Sequence, residues 1–214
     1  MLFISDIDGT LLDSARSISS SAIDTLEKFS GVELTHDFFL PYIGTPIRDV
    51  LSAYISNLQL EEAVAFFRQK LIEYGESNTT VMPYALQVLD QLKVSGFTIC
   101  AATNKYTVLA EQVLKQQSLL SRFSKIYGSD MYAPKPSPEM ILAAMADFPF
   151  DQVYMIGDRP EDVIAASSAG IQSIYVSNEC DYLITNLSIK PNYTVGSWLE
   201  VLKIQTIREA INLK

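Results

Sequence analysis

Asp6 and Asp8 stand two positions apart in the run DIDGT, at the end of the apolar stretch LFISDI. In an extended chain residues i and i+2 serve the same face, so both carboxylates can address one site. Adjacent carboxylates repel each other, and pairing them calls for a cation or a shared proton. An EF-hand calcium loop would need further oxygen ligands and a Glu at its twelfth position, where this sequence has Ser17. A pair of solvated turn residues beside Gly9 is the plain alternative. What sets the pair apart is its company at the ends of other apolar runs. Thr103-Asn104-Lys105 closes one, Lys135 follows another in APKPSPE, and Asp158 and Asp162 lie in GDRPED after a third. A hydroxyl donor, a lysine and a group of acids are the parts that Mg²⁺-assisted phosphoryl transfer requires. The carboxylates hold the ion. The ion, Thr103 and Lys135 neutralise phosphate oxygens that would otherwise repel an attacking carboxylate.

These residues share a site only if their elements bring them together. Apolar runs of strand length occur at 2–7, 97–103, 125–129, 152–158 and 172–177. Helical spacing fills the intervals: Leu86, Leu89 and Leu92 ahead of Gly96, then Val108, Leu109, Val113, Leu114 and Leu119. PSPEMILAAMADF opens with Pro and Ser and has Glu139 in its first turn, and EDVIAASSAG closes on Gly170. Alternating strands and helices predict an α/β, Rossmann-like core, a parallel sheet with helices on both faces. In such a sheet ligands bind outside the carboxyl ends of the strands, where every residue singled out above is placed. Between 14 and 80 the alternation stops, with helical patterns at 19–29, 46–55 and 60–74 and no strand pattern. The chain is therefore expected to divide into a core domain of residues 1–13 and 81–214 and an inserted all-helical cap domain, 14–80, over the strand ends.

DIDGT, ATN, KPSPE and GDRPED, in this order and spacing, resemble the four motifs of the haloacid dehalogenase superfamily, and the resemblance spans essentially the whole chain outside the cap. Within it the chain is similar to the phosphatase branch with a helical cap after the first motif, the phosphoglycolate phosphatase-like proteins. The resemblance implies a Mg²⁺-dependent phosphomonoesterase with Asp6 as nucleophile, forming an aspartyl-phosphate, and Asp8 as general acid and then base. It further implies Thr103 and Lys135 as phosphate binders, and Asp158 as a Mg²⁺ ligand together with Asp6 and the Asp8 carbonyl. Asp162 supports the metal site or its lysine. Dehalogenation needs no proton for the departing halide, so the second Asp speaks against it. Phosphonate cleavage by relatives uses a cap lysine, but Lys28 and Lys70 lie in amphipathic patterns that read as solvated faces. A sugar phosphomutase shares all four motifs and stays open, as does a non-catalytic binding or regulatory protein on the same fold. Phosphoglycolate leads among substrates by resemblance, followed by sugar phosphates and nucleoside monophosphates.

Asn104 and Lys105 are expected at the substrate, with Lys105 and the cap residue Arg48 facing an anion on the leaving group. Thr45-Pro46 also reads simply as a helix start, and Arg159 receives no catalytic role. The single histidine, His36, reads as a surface residue, Cys100 as a small core residue, Cys180 as a loop residue, and Trp198 as the anchor of an amphipathic closing helix over 197–212. The 214 residues carry 25 acidic against 16 basic side chains, a net charge of −9, which disfavours nucleic acid and anionic lipid as partners. The expected partner is a small phosphorylated metabolite. Two cysteines, no basic leader segment at MLFISDIDGT and no apolar run of about 18 residues lead to the expectation of a cytoplasmic protein without a membrane span.

Overall fold

The computed structural model describes residues 1–75, 77–177, 182–185 and 187–212, with the side chains of Tyr182 and Leu183 left aside. Leu2–Ser5 forms β1, buried along its whole length because it lies in the middle of a sheet. It pairs in parallel with β4 (Thr98–Thr103) on one side and with β6 (Val153–Gly157) on the other. β5 (Lys125–Gly128) lies beyond β4, and β7 (Gln172–Val176) and β8 (Tyr193–Val195) lie beyond β6, giving the order β5-β4-β1-β6-β7-β8. Chain growth proceeds to one side of β1 and then reverses to the other, so the switch point falls at β1 itself.

Side-chain alternation divides the core in two. Phe3, Ile99, Ala101 and Ile156 face α5 (Ala85–Val94), α6 (Thr107–Gln116) and the C-terminal helices α10 (Trp198–Val201) and α11 (Gln205–Asn212). Leu2, Ile4, Cys100 and Met155 face α7 (Glu139–Asp147) and α8 (Pro160–Ser168). Cys100 is thus a core residue, its thiol pushed up to about 12 by burial, while Cys180 lies outside the described residues. A short helix, α9 (Tyr182–Thr185), follows β7. Among the described residues no helix is long and apolar enough to cross a membrane.

The segment without strand patterns forms α1 (Ala15–Ser30), α2 (His36–Phe39), α3 (Ile47–Ser52) and α4 (Leu60–Gly75). It has its own apolar cluster, built from Leu26, Phe39, Leu51, Val64 and Phe67 among others. Where the chain leaves and re-enters the sheet region, β2 (Leu12–Asp13) and β3 (Thr80–Val81) pair antiparallel and hold the two crossings side by side. His36, read from the sequence as a surface residue, is half-buried at the start of α2, and its Nδ1 is 2.7 Å from the Ser19 hydroxyl.

Several elements depart from the sequence expectation. β8 and the β2–β3 pair are too short, at two or three residues, to show a period. The closing helix is two helices. Trp198, Val201, Ile204 and Ile207 are all buried at intervals of three, and an unbroken α-helix would turn the last of them about 180° from the first. The break between α10 and α11 keeps all four on the core. In α5 the buried face is Ala85, Val88, Leu89 and Leu92, whereas Leu86 is 41% exposed; in α6 Val108 is 68% exposed. Accordingly, Leu89→Ala should cost about 2–5 kcal/mol of stability, while Leu86→Ala should stay within about 0.5 kcal/mol, as measured by denaturant unfolding. Equal losses would contradict this face of α5.

Candidate active site

β1, β4 and β6 are neighbours in the sheet, so the residues leaving their carboxyl ends emerge about 5 Å apart. Asp6 follows β1, Thr103 ends β4, Asp158 follows β6, and Lys135 arrives from the loop after β5. All four are buried, as are Asp8 and Asp162. Lys135 Nζ lies 2.8 Å from Asp6 Oδ1 and 2.6 Å from Asp162 Oδ1. The second oxygen of Asp162 accepts the Arg159 backbone N–H at 3.0 Å at the start of α8, which locks the carboxylate that holds the lysine. Thr10 Oγ1 donates to Asp158 Oδ1 at 2.6 Å, and the Thr10 carbonyl accepts Trp198 Nε1–H at 2.8 Å. Two glycines let these groups approach. A Cβ on Gly9, whose φ is +85°, would collide with the Asp158 carboxylate, and one on Gly157 would collide with Asp162.

Asp8 points elsewhere. Its Oδ1 accepts the Ser14 hydroxyl at 2.6 Å and Lys105 Nζ–H at 2.6 Å. The sequence reading placed Asp8 in the metal set through its carbonyl; its carboxylate is not part of the acidic cluster formed by Asp6, Asp158 and Asp162. Thr103 Oγ1 accepts the Lys105 backbone N–H at 3.2 Å, leaving the hydroxyl proton to be donated. Asn104 was expected at the substrate, but its amide is committed to main chain. Nδ2 donates to the carbonyls of Gly44 and Lys135, and Oδ1 accepts the Lys135 N–H at 2.7 Å. A carboxamide matched in this way holds the Lys135 loop in place, and Asn104 also lines the cavity beside Asp6 and Asp8.

Charge is crowded here. Burial pushes the Asp6 carboxyl up to about 7 against the pull of Lys135, with Asp162 and Asp8 adding repulsion. Burial, then repulsion from Asp6 and Asp162, pushes Asp158 up to about 8. For Lys135 burial opposes the charge, but Asp162 and Asp6 outweigh it and hold the ammonium above the ordinary lysine range. Asp6, Asp158 and Asp162 each bring one oxygen within 4.8 Å of the others. An all-carboxylate set with a single lysine between its members fits a hard divalent cation, which would relieve the repulsion that raises Asp6 and Asp158.

A cavity of about 260 Å³ adjoins Asp6 and Asp8 between the sheet and the helical segment. Thr103, Lys105 and Tyr106 line it from the core, and Thr45, Arg48, Phe67 and Arg68 from α3, α4 and the turn before α3. Arg48 reaches the lining but is exposed and ion-paired with Glu61. Lys28 sits over the Phe66 ring and Lys70 pairs with Glu73; neither lines the cavity. Arg159 Nη2 donates to the Pro41 carbonyl at 2.8 Å, tying the segment before α3 to the loop that carries Asp158. Three residues escaped the sequence reading. Thr10 was visible inside DIDGT, whereas Ser14 and Arg68, whose guanidinium lies 3.7 Å from the centre of the Tyr106 ring, look like ordinary helix-start and helix-surface residues.

The fold and the strand-end residues place the chain in a known class. The model of the haloacid dehalogenase-like hydrolase family matches residues 3–176, and the chain belongs to that family. It is 29% identical over 203 residues to a phosphoglycolate phosphatase of Aquifex aeolicus, covering 93% of each chain. It is 28% identical over 202 residues to a putative pyrophosphatase PpaX of Caldanaerobacter subterraneus subsp. tengcongensis, covering 93% of this chain and 91% of the relative. The crystal structure of a predicted phosphatase from Clostridium acetobutylicum superimposes with a TM-score of 0.84 at 29% identity, covering 97% of this chain and 98% of the other.

The raised carboxyls carry a pH signature. Asp6 and Asp158 have ordinary values of 3.8 and folded values of about 7 and 8. Between these limits the folded state holds more protons than the unfolded one, so the two groups subtract stability increasingly as pH rises through the window. Metal-stripped protein should therefore melt lower at about pH 8.5 than at about pH 6, Asp158→Asn should flatten the decline, and a divalent cation should stabilise more at the higher pH. A melting temperature of the stripped protein that climbs across this window would contradict the crowding.

Proposed function

We propose that the protein is a Mg²⁺-dependent phosphatase that hydrolyses phosphomonoesters of small metabolites through an aspartyl-phosphate on Asp6. The observation that carries this reading is the juxtaposition of a lysine-bound carboxylate, Asp6, with Asp8 and Thr103 at the mouth of one cavity. Lys135 and the Thr103 hydroxyl bind oxygens of the incoming phosphate, and the bond from Lys135 fixes the Asp6 rotamer for attack on phosphorus. As the new oxygen–phosphorus bond forms, the ester bond breaks and Asp8 gives its proton to the leaving oxygen. In the second displacement Asp8 takes a proton from water, which attacks the same phosphorus, releases phosphate and restores Asp6. Mg²⁺ would be held by Asp6, Asp158 and the Asp8 carbonyl, with Asp162 supporting through Lys135, and supplies charge neutralisation for the phosphate oxygens.

A cavity of about 260 Å³ suits a small leaving group, which supports a phosphorylated metabolite over a phosphoprotein or a nucleic acid as substrate. The segment 14–80 acts as the cap that encloses it, turning about the β2–β3 crossings. Phosphoglycolate is the first substrate to try, with pyrophosphate next because relatives bear those names, then sugar phosphates and nucleoside monophosphates. A cytoplasmic setting belongs to the same reading.

Release of inorganic phosphate from p-nitrophenyl phosphate and from this panel tests the proposal. Asp6→Asn should lower kcat on the order of 10³-fold or more with an unchanged circular dichroism spectrum and a melt that stays cooperative, since the nucleophile itself is removed. Excess EDTA should abolish turnover and Mg²⁺ restore it. Near-normal turnover by a folded Asp6→Asn variant, or full activity without metal, would overturn the mechanism. Conversion of a sugar phosphate to its isomer in place of phosphate release would identify a mutase.

A further inference from the structure

The ion pair between Lys105 and Asp8 is not required by the two displacements just described, and taken alone it opposes them. Asp8 has to reach the leaving oxygen, yet its Oδ1 is held by Lys105 Nζ and Ser14 Oγ, each at 2.6 Å. The pair is shielded, with side chains only 7% and 8% exposed, so water and salt weaken it little. Among the described residues Asp8 is the one carboxylate within ion-pair distance of Lys105. Pulling the ammonium away without a replacement anion leaves a buried charge unpaired, which is strongly unfavourable. The Lys105 main chain is fixed, its N–H on Thr103 Oγ1 and its carbonyl accepting the Ser129 N–H at 3.2 Å, so only the side chain is free to redirect. Both Lys105 and Asp8 line the cavity. The cavity's other cations are engaged by other groups, Arg48 by Glu61 and Arg68 by the Tyr106 ring.

We propose that Lys105 is a substrate-responsive clamp on Asp8: it holds the carboxylate until an anionic group on the leaving portion of the substrate competes for the ammonium, whereupon the freed Asp8 takes a proton from solvent water and turns to deliver it to the leaving oxygen. This rests on the phosphatase reading and narrows its substrate class to phosphoesters or anhydrides whose leaving group carries its own carboxylate or phosphate. The substrate anion replaces Asp8 as counter-ion, so the lysine never stands unpaired. A substrate of the same size without that anion binds through its phosphate but leaves the clamp shut. Discrimination then appears in kcat, because the anion's contribution is realised at the chemical step and not only in binding.

The test uses matched pairs, phosphoglycolate against 2-hydroxyethyl phosphate and 3-phosphoglycerate against glycerol 3-phosphate, with p-nitrophenyl phosphate as a measure of phosphatase activity as such. For at least one pair the wild-type kcat should favour the anionic member by roughly tenfold or more, the scale of one charge-assisted hydrogen bond. In Lys105→Gln or Lys105→Met that ratio should collapse toward one, with turnover of the anionic member falling by the larger factor. Equal losses on both members, a kcat ratio that survives the substitution, or wild-type discrimination confined to KM would overturn the clamp and leave the phosphatase reading intact. The same holds if p-nitrophenyl phosphate is turned over and neither pair is. Should both variants fail to fold, the wild-type split between kcat and KM decides alone. No phosphate release from any of these substrates would remove the phosphatase reading and the clamp together.

Discussion

The site depends on how a parallel sheet places negative charge. Three adjacent strands, β4, β1 and β6, deliver their next residues about one strand spacing apart, and two of those are Asp6 and Asp158. With Asp162 beside them, the carboxylates would repel one another in a medium where water screens little. Lys135 answers part of that repulsion by bridging Asp6 and Asp162 from a fully buried position. Such a bridge adds little net stability after desolvation, so its consequence is positional: Asp6 is fixed in one orientation, and its oxygens are presented to the cavity. The remaining repulsion is what a divalent cation would relieve.

Around this centre, hydrogen bonds couple the sheet to the helical segment. Trp198 holds the Thr10 carbonyl while Thr10 holds Asp158, so the C-terminal helices brace the DIDGT turn from behind. Arg159 reaches Pro41 and Asn104 reaches Gly44, linking two strand-end loops to the same stretch before α3. Ser14, at the crossing into α1, holds Asp8. The helical segment is therefore bonded to three of the four motif loops, so that any movement of it would be felt there, as the proposed coupling of enclosure to acid and base placement requires.

Much of this was legible in the sequence because buried strands and amphipathic helices leave periodic traces. The five strands read from apolar runs are the five long ones, and Asp6, Thr103, Lys135, Asp158 and Asp162 converge because parallel strands must end on one side. What was not legible depends on contacts between distant segments. β2 and β3 exist only because Leu12 meets Val81. The face of α5 was misread because Leu86, Leu89 and Leu92 share a spacing that fits a helix nearly as well as the true set. Asn104 and Arg48 were expected at a ligand from their places in the second motif and the cap, and both line the cavity; their partners, main chain in one case and Glu61 in the other, lie on segments that no local pattern connects to them. Lys105 was expected at the site and lines the cavity, but its bond to Asp8, 97 positions away, is a property of the fold alone.

The central claim is that the carboxylate held by Lys135 is the group that accepts the phosphoryl. Acid quenching of wild-type enzyme during turnover, followed by pepsin digestion in acid, where an acyl phosphate survives, and mass spectrometry of the peptide covering Asp6 and Asp8, reads this directly. A phosphoryl adduct that fragmentation places on Asp6, and that vanishes when the substrate is exhausted, is the predicted result. An adduct on Asp8, or sustained turnover with that peptide unmodified at every quench time, would contradict it.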